Sequence, residues 1–178
     1  MTNIRSVADQ VHLREFSRSA RARNYRQSRS IPVSCKKELT MKATTLSCRC
    51  GSVQLRVCAA PIAQFYCHCD DCRAVTGGGF VPIALFSTDA VVVNGGGTFT
   101  WTYKVLPRTG CSTCGTFLFG EPPGLGMRGV SGFLLPSDMF KPAFHIRCQN
   151  AVLPVKDDLP HFKGLPASFG GTDETVGW

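Results

Sequence analysis

The chain has 178 residues, 43% hydrophobic and 18% charged, enough for one domain with a proper core plus an appendage and too apolar for a disordered polymer. No apolar run approaches the roughly eighteen residues that cross a bilayer, and the start, MTNIRSVADQ, contains no stretch fit for a secretory signal. The net charge of +8 is uneven: residues 1–40 carry +6 and residues 41–178 carry +2, falling near −1 if seven cysteines ionise around two Zn²⁺. A folded body without excess positive charge argues against nucleic-acid binding there.

Residues 1–40 stand apart. They hold Arg14, Arg18, Arg21, Arg23, Arg26 and Arg29 among serines, and Ile4, Val7, Ala8 and Val11 fall at helical spacing. Three readings compete: an organelle transit peptide, weakened by Asp9 and Glu15; a basic arm for an acidic partner; or a disordered extension, the reading composition favours. The expected organisation is a basic arm over 1–40, disordered or briefly helical, and a folded domain over 41–178. A cytoplasmic location is expected, with organelle import through the arm as the alternative.

From Thr44 onward the pattern is β. Val53, Leu55 and Val57 alternate with Gln54 and Arg56, which marks a half-buried strand. The run Phe80–Phe86 is almost continuously apolar, and Pro82 within it predicts an edge position or a bulge. Ala90–Val93 and the alternating Thr98–Tyr103 flank Asn94-Gly95-Gly96-Gly97, a hairpin signal because Asn and Gly tolerate positive φ. Thr116–Phe119 and Ala143–Ile146 are shorter strand candidates, no segment sustains a helical period for three turns, and the tail after Gly164 reads as loop.

Seven of the ten cysteines fall in three tight groups: Cys48-Arg-Cys50-Gly51, Cys67-His-Cys69-Asp-Asp-Cys72 and Cys111-Ser-Thr-Cys114-Gly115. Without a signal segment, this usage points to a reducing compartment and to metal binding before disulfides. Residues i and i+2 of an extended chain project to one face, so Cys48 and Cys50 can reach one ion, while Cys111 and Cys114 form a knuckle that turns around it. Glycines 51 and 115 suit the tight backbone and are expected to free amides toward the sulfurs. Cys48, Cys50, Cys111 and Cys114 make a tetrahedral set typical of structural zinc; two independent disulfides are the competing reading.

Cys67, Cys69 and Cys72 leave a tetrahedral Zn²⁺ one ligand short, which separates catalytic from structural sites. A thiol could enter that position and be deprotonated there. Cys58, Cys148 or His145 could instead close the site. His68 should point away from its neighbours. Asp70 and Asp71 could act as a base or be solvated, and Arg73 with Gly77-Gly78-Gly79 could bind a substrate carboxylate or form a turn. Cys35, Cys58 and Cys148 lack partner spacing and read as buried apolar residues.

The order CxCG, CxCxxC, CxxCG, with CHCDDCRAVTG in the middle, resembles the glutathione-dependent formaldehyde-activating enzyme family, whose domain is shared with centromere protein V. The resemblance runs from about Thr44 to Phe162 and includes His145-Ile146 and Asp158–Phe162. It implies a mainly β fold, a β-tent of antiparallel sheets stapled by zinc. It also implies two Zn²⁺ per chain: structural on Cys48, Cys50, Cys111 and Cys114, catalytic on Cys67, Cys69 and Cys72. The implied activity is carbon–sulfur lyase chemistry on a thiol adduct, including the joining of formaldehyde to glutathione as S-hydroxymethylglutathione. Three positions depart from the pattern. Gly110 stands where an aromatic is usual, Cys148–Leu153 lacks the expected tryptophan, and DGLP becomes Asp157-Asp158-Leu159-Pro160. The rival reading is a non-catalytic zinc module that binds a protein or chromatin partner through the basic arm.

Overall fold

The strand Val53–Val57 (β2) shows why this chain folds in layers: Val53, Leu55 and Val57 are buried and Gln54 and Arg56 exposed, as the alternation predicts. The computed structural model of the chain describes residues 43–178; the expected arm over 1–40 lies outside the described residues. β2 pairs antiparallel with Thr44–Ser47 (β1) on one side and Val91–Gly95 (β5) on the other, forming a three-stranded sheet in the order β1-β2-β5.

A second sheet has seven strands. Its members are Ala63–Cys67 (β3), Val81–Ser87 (β4), Thr98–Tyr103 (β6), Leu106–Cys111 (β7), Phe117–Gly120 (β8), Met127–Ser131 (β9) and Phe144–Ile146 (β10), in the order β10-β3-β4-β9-β8-β7-β6. The mainly β expectation holds. Neighbours in both sheets are antiparallel except β10, which runs parallel to β3. A seven-residue helix, Asp70–Thr76 (α1), follows β3 and ends at Gly77, whose N–H closes on Arg73 O. No described helix is long and apolar enough to cross a membrane.

β4 is buried on both faces, which explains its unbroken apolar run. Ala84 and Phe86 join Leu46, Leu55, Val57 and Val130 in the core between the sheets. Val81, Ile83 and Leu85 face the other way and pack with Phe65, Cys67 and Ile146. The expectation of an edge strand is corrected: β4 lies inside the sheet between β3 and β9. Pro82 is tolerated because it pairs only with Tyr66, and pairing to β9 begins one residue later, at Ile83.

The predicted hairpin between Ala90–Val93 and Thr98–Tyr103 does not form either. β5 pairs with β2 and β6 with β7, so the two strands lie in different sheets. The segment between them is claimed by other backbone partners: Gly96 N–H donates to Ser52 O at 2.6 Å, and Gly97 O accepts from Ser112 N–H at 3.0 Å. Gly95 turns the chain at φ +89°. The glycine run is therefore a crossover between sheets, held by the residues that follow Cys50 and Cys111.

Candidate functional site

The crossover brings the first and third cysteine groups together. The sulfurs of Cys48, Cys50, Cys111 and Cys114 all lie within 4.8 Å of one another, with Cys48–Cys50 at 3.4 Å and Cys50–Cys111 at 3.8 Å. Four thiolates around a tetrahedral Zn²⁺ at about 2.3 Å stand about 3.8 Å apart, so this set fits such an ion. The local backbone follows the glycines: Gly51 has φ +77° and Gly115 φ +70°, a region costly for other residues. Their amides donate to Cys48 O and Cys111 O and not to sulfur, contrary to expectation. Sulfur is served by other groups. Val53 N–H donates to Cys48 Sγ at 3.3 Å, and Ser52 Oγ lies 3.1 Å from Cys50 Sγ and 3.2 Å from Cys111 Sγ. Thr116 Oγ1 stands 3.0 Å from Cys114 Sγ.

These contacts favour thiolates at Cys48, Cys111 and Cys114, whereas Cys50, although Ser52 lowers it, is raised on balance by Cys48, burial and Cys114. The Val53 amide draws Cys48 down to about 7, and the Thr116 hydroxyl does the same for Cys114. Cys111 is also lowered, first by the Ser52 hydroxyl and then by the knuckle amides. The sequence marks Ser52 and Thr116 only faintly, each standing two residues after the last cysteine of its cluster.

The middle group sits where β3 passes into α1. Cys67 ends β3, Cys69 is the N-cap of α1 and accepts Cys72 N–H at 3.3 Å, and Cys72 lies in the first turn. The three sulfurs lie within 4.8 Å of one another, and among the described residues no fourth Cys, His, Asp or Glu joins them. The suggested fourth ligands lie elsewhere. Cys58 is disulfide-bonded, which also corrects its reading as a buried thiol. Cys148 is buried apart, its thiol pushed up to about 11 by burial. His145 belongs to another cluster.

The three thiols compete for one negative charge. Hydrogen bonds from Cys67 and then Cys72 pull Cys69 down to about 2. Cys67, held by Cys69 and Cys72 and buried, is raised well above the usual thiol range. The Cys67 contact lowers Cys72, yet the Cys69 thiolate and burial outweigh it and push Cys72 up to about 12. Full ionisation of such a trio calls for a cation, the behaviour of a metal-ligand set.

The trio opens into a cavity of about 400 Å³ with walls that include Phe65, Val81, Ile83, Phe117 and Ile146. Among the described lining residues, Arg108 and Arg147 are the basic ones. Arg108, on β7, is 2% exposed, and its Nη1 donates to Leu106 O at 3.0 Å and Tyr103 O at 3.4 Å. Its positive charge acts to lower Cys72. Nothing in LPRTGC marked it out.

The acidic and basic residues beside the trio pair with one another and with neighbours. Asp70 pairs with Arg73 and accepts Asn150 Nδ2 at 3.0 Å, while Asp71 pairs with Lys104 at 2.5 Å. Arg73 also donates to His68 O at 3.3 Å, so its guanidinium is held by both Asp70 and the backbone.

His68, the residue after β3, points away from Cys67 and Cys69, as alternation requires, and is fully buried. Its Nε2 meets His145 Nδ1 at 2.9 Å, and His145 Nε2 meets Asp157 Oδ2 at 3.0 Å. Burial pulls His68 down to about 4. His145 is lowered as well, chiefly by burial, against the raising effect of Asp157. His161 completes the group from the segment beside β10.

Comparison with known proteins agrees with the cysteine pattern. The sequence model of the glutathione-dependent formaldehyde-activating enzyme family matches residues 43–150. No curated protein matches the chain. Among solved structures, a Rhodobacter sphaeroides protein is similar at 19% identity over 56% of this chain and 97% of its own, with a TM-score of 0.45.

Proposed function

The chain belongs to the glutathione-dependent formaldehyde-activating enzyme family, and on that premise we propose that it is a zinc-dependent carbon–sulfur lyase acting on a thiol adduct, with S-hydroxymethylglutathione as the candidate substrate. One observation carries the reading: three thiols converge in the wall of a cavity without a fourth donor among the described residues. In this reading Cys48, Cys50, Cys111 and Cys114 hold a structural zinc, and Cys67, Cys69 and Cys72 a catalytic one. A zinc so held supplies Lewis acidity and lowers the pKa of a thiol that reaches it.

The chain's own residues supply the surroundings. Apolar walls exclude water and favour burial of the reacting carbon–sulfur end; the charged ends of glutathione would remain solvated, since burying them unpaired is costly. Arg108 fixes a positive charge beside Cys72 that favours sulfur in its anionic form. Arg147, the other basic lining residue, is the cation available to a substrate carboxylate. Asp70 and Asp71 are each paired with a cation, Arg73 and Lys104.

Exchange spectroscopy of formaldehyde with glutathione tests the reading. Acceleration is expected with wild-type protein and is expected to vanish with Cys72→Ser. No acceleration by the zinc-loaded wild type would remove the lyase assignment and favour a non-catalytic zinc module.

A further inference from the structure

Among the described residues, one more set of donors converges outside the cysteine groups. His145 Nε2, Asp157 and His161 Nε2 lie within 4.8 Å of one another, and both histidine donors are buried. We propose that these three residues form a third metal site, for a divalent first-row transition ion that prefers nitrogen and oxygen ligands.

Backbone pairing builds the site. His145, on β10, bridges in parallel to His161; His145 N–H donates to Pro160 O at 2.8 Å and Phe162 N–H to His145 O at 3.0 Å. Residues paired in this way share a face, and the two imidazole rings stand side by side with centroids 4.5 Å apart. Asp157 returns toward them through a turn in which its Oδ1 accepts Leu159 N–H at 3.0 Å.

The donor spacing suits an ion. Asp157 Oδ2 is 3.0 Å from His145 Nε2, and Oδ1 is 3.3 Å from His161 Nε2. Ligands bound at about 2.0–2.2 Å stand about 2.9–3.5 Å apart in octahedral or tetrahedral arrangements. Two imidazoles and a carboxylate are the donor set of zinc, iron, nickel and copper sites, in contrast to the all-sulfur groups.

A hydrogen-bonded histidine–aspartate pair alone does not account for the cluster. His161 Nε2 is buried without a hydrogen-bond partner, its approach to Asp157 being out of line for one. Such an atom carries a desolvation cost that a bound ion would remove. The outer contacts are also those of a ligating histidine. With Nε2 directed to an ion, His145 Nδ1–H donates to His68 Nε2 at 2.9 Å, fixing tautomer and ring. Trp178 packs over His161 at 4.5 Å and His68 at 5.3 Å, while the Asp157 side chain, 32% exposed, leaves a path from solvent.

The test loads the full-length, metal-stripped protein with Co²⁺ under reducing, anaerobic conditions. Thiolate sites announce themselves by intense sulfur-to-cobalt charge transfer in the near ultraviolet. Wild-type protein is expected to bind one further equivalent without added charge-transfer intensity, and His161→Phe, which keeps a ring against Trp178, is expected to lose that equivalent. Equal stoichiometry in wild type and variant at saturation overturns the proposal. As a readout on wild type alone, hyperfine-shifted imidazole N–H resonances are expected, and their absence at saturating Co²⁺ overturns it equally. Failure of the cysteine sites would show separately, as missing charge transfer.

Discussion

The backbone N–H of Gly96 donates to Ser52 O at 2.6 Å, tying the crossover between the two sheets to the residue whose hydroxyl faces Cys50 and Cys111. Fold and four-cysteine site therefore share one joint. Gly95, beside it, has φ +89°, and a Cβ there would stand 2.6 Å from Ser52 O. Gly95→Ala is expected to cost about 2–4 kcal/mol from backbone strain and overpacking. It should also make the four-cysteine metal easier to strip. Denaturant unfolding and the rate of chelator extraction check both.

The two cysteine groups should fail differently. Cys114→Ser breaks the set that joins both knuckles, and folding should be lost or severely weakened, because structural zinc contributes folding free energy directly. Cys72→Ser should leave the thermal transition close to that of wild type while lowering zinc content by about one ion per chain. Metal analysis and calorimetry on the two variants separate the outcomes; equal loss of stability in both would contradict the assignment.

Arg108→Met tests the buried cation. The substitution removes the side-chain donor to Leu106 O and Tyr103 O, at a cost of about 1–3 kcal/mol. It also removes the charge that lowers Cys72, so the pH midpoint for metal uptake by the three-cysteine group should move upward. An unchanged midpoint would mean that the guanidinium is only structural.

His68 gives a pH dependence. Burial holds its folded pKa near 4, below the unfolded value of about 6.5. The unfolded chain therefore binds the extra proton between these values, and stability rises with pH there. The contribution is complete above about pH 6.5 and is lost as pH falls toward 4. Unfolding midpoints should fall less with acid in His68→Gln than in wild type. Ring resonances of His68 should titrate near pH 4.

What was legible in the sequence was what short-range spacing controls. The two-residue period put Cys67 and Cys69 on one side of the chain and His68 on the other, and the glycines after Cys50 and Cys114 do adopt positive φ. Features that depend on distant pairing were hidden. His145 and His161 meet only because their backbones bridge in parallel, and Arg108 is buried only because β7 lies inside the large sheet. Gly110, where an aromatic was expected, is covered by Phe99 and Trp101; their stacked rings approach so closely that a Cβ would lie 2.8 Å from Phe99. The aromatic bulk is supplied from the neighbouring strand.

The crossover at Asn94–Gly97 also bears on how the chain reaches this state. Its local signal favours a hairpin, which closes on a timescale of about 1–10 μs, whereas its native partners Ser52 and Ser112 must arrive from both sides. The nascent chain thus contains a fast competitor to its own fold, a piece of local frustration. Productive folding becomes a race in which the two knuckles must capture the glycine run before premature pairing prevails. An ion that joins the knuckles early would shift that race as well as hold its result.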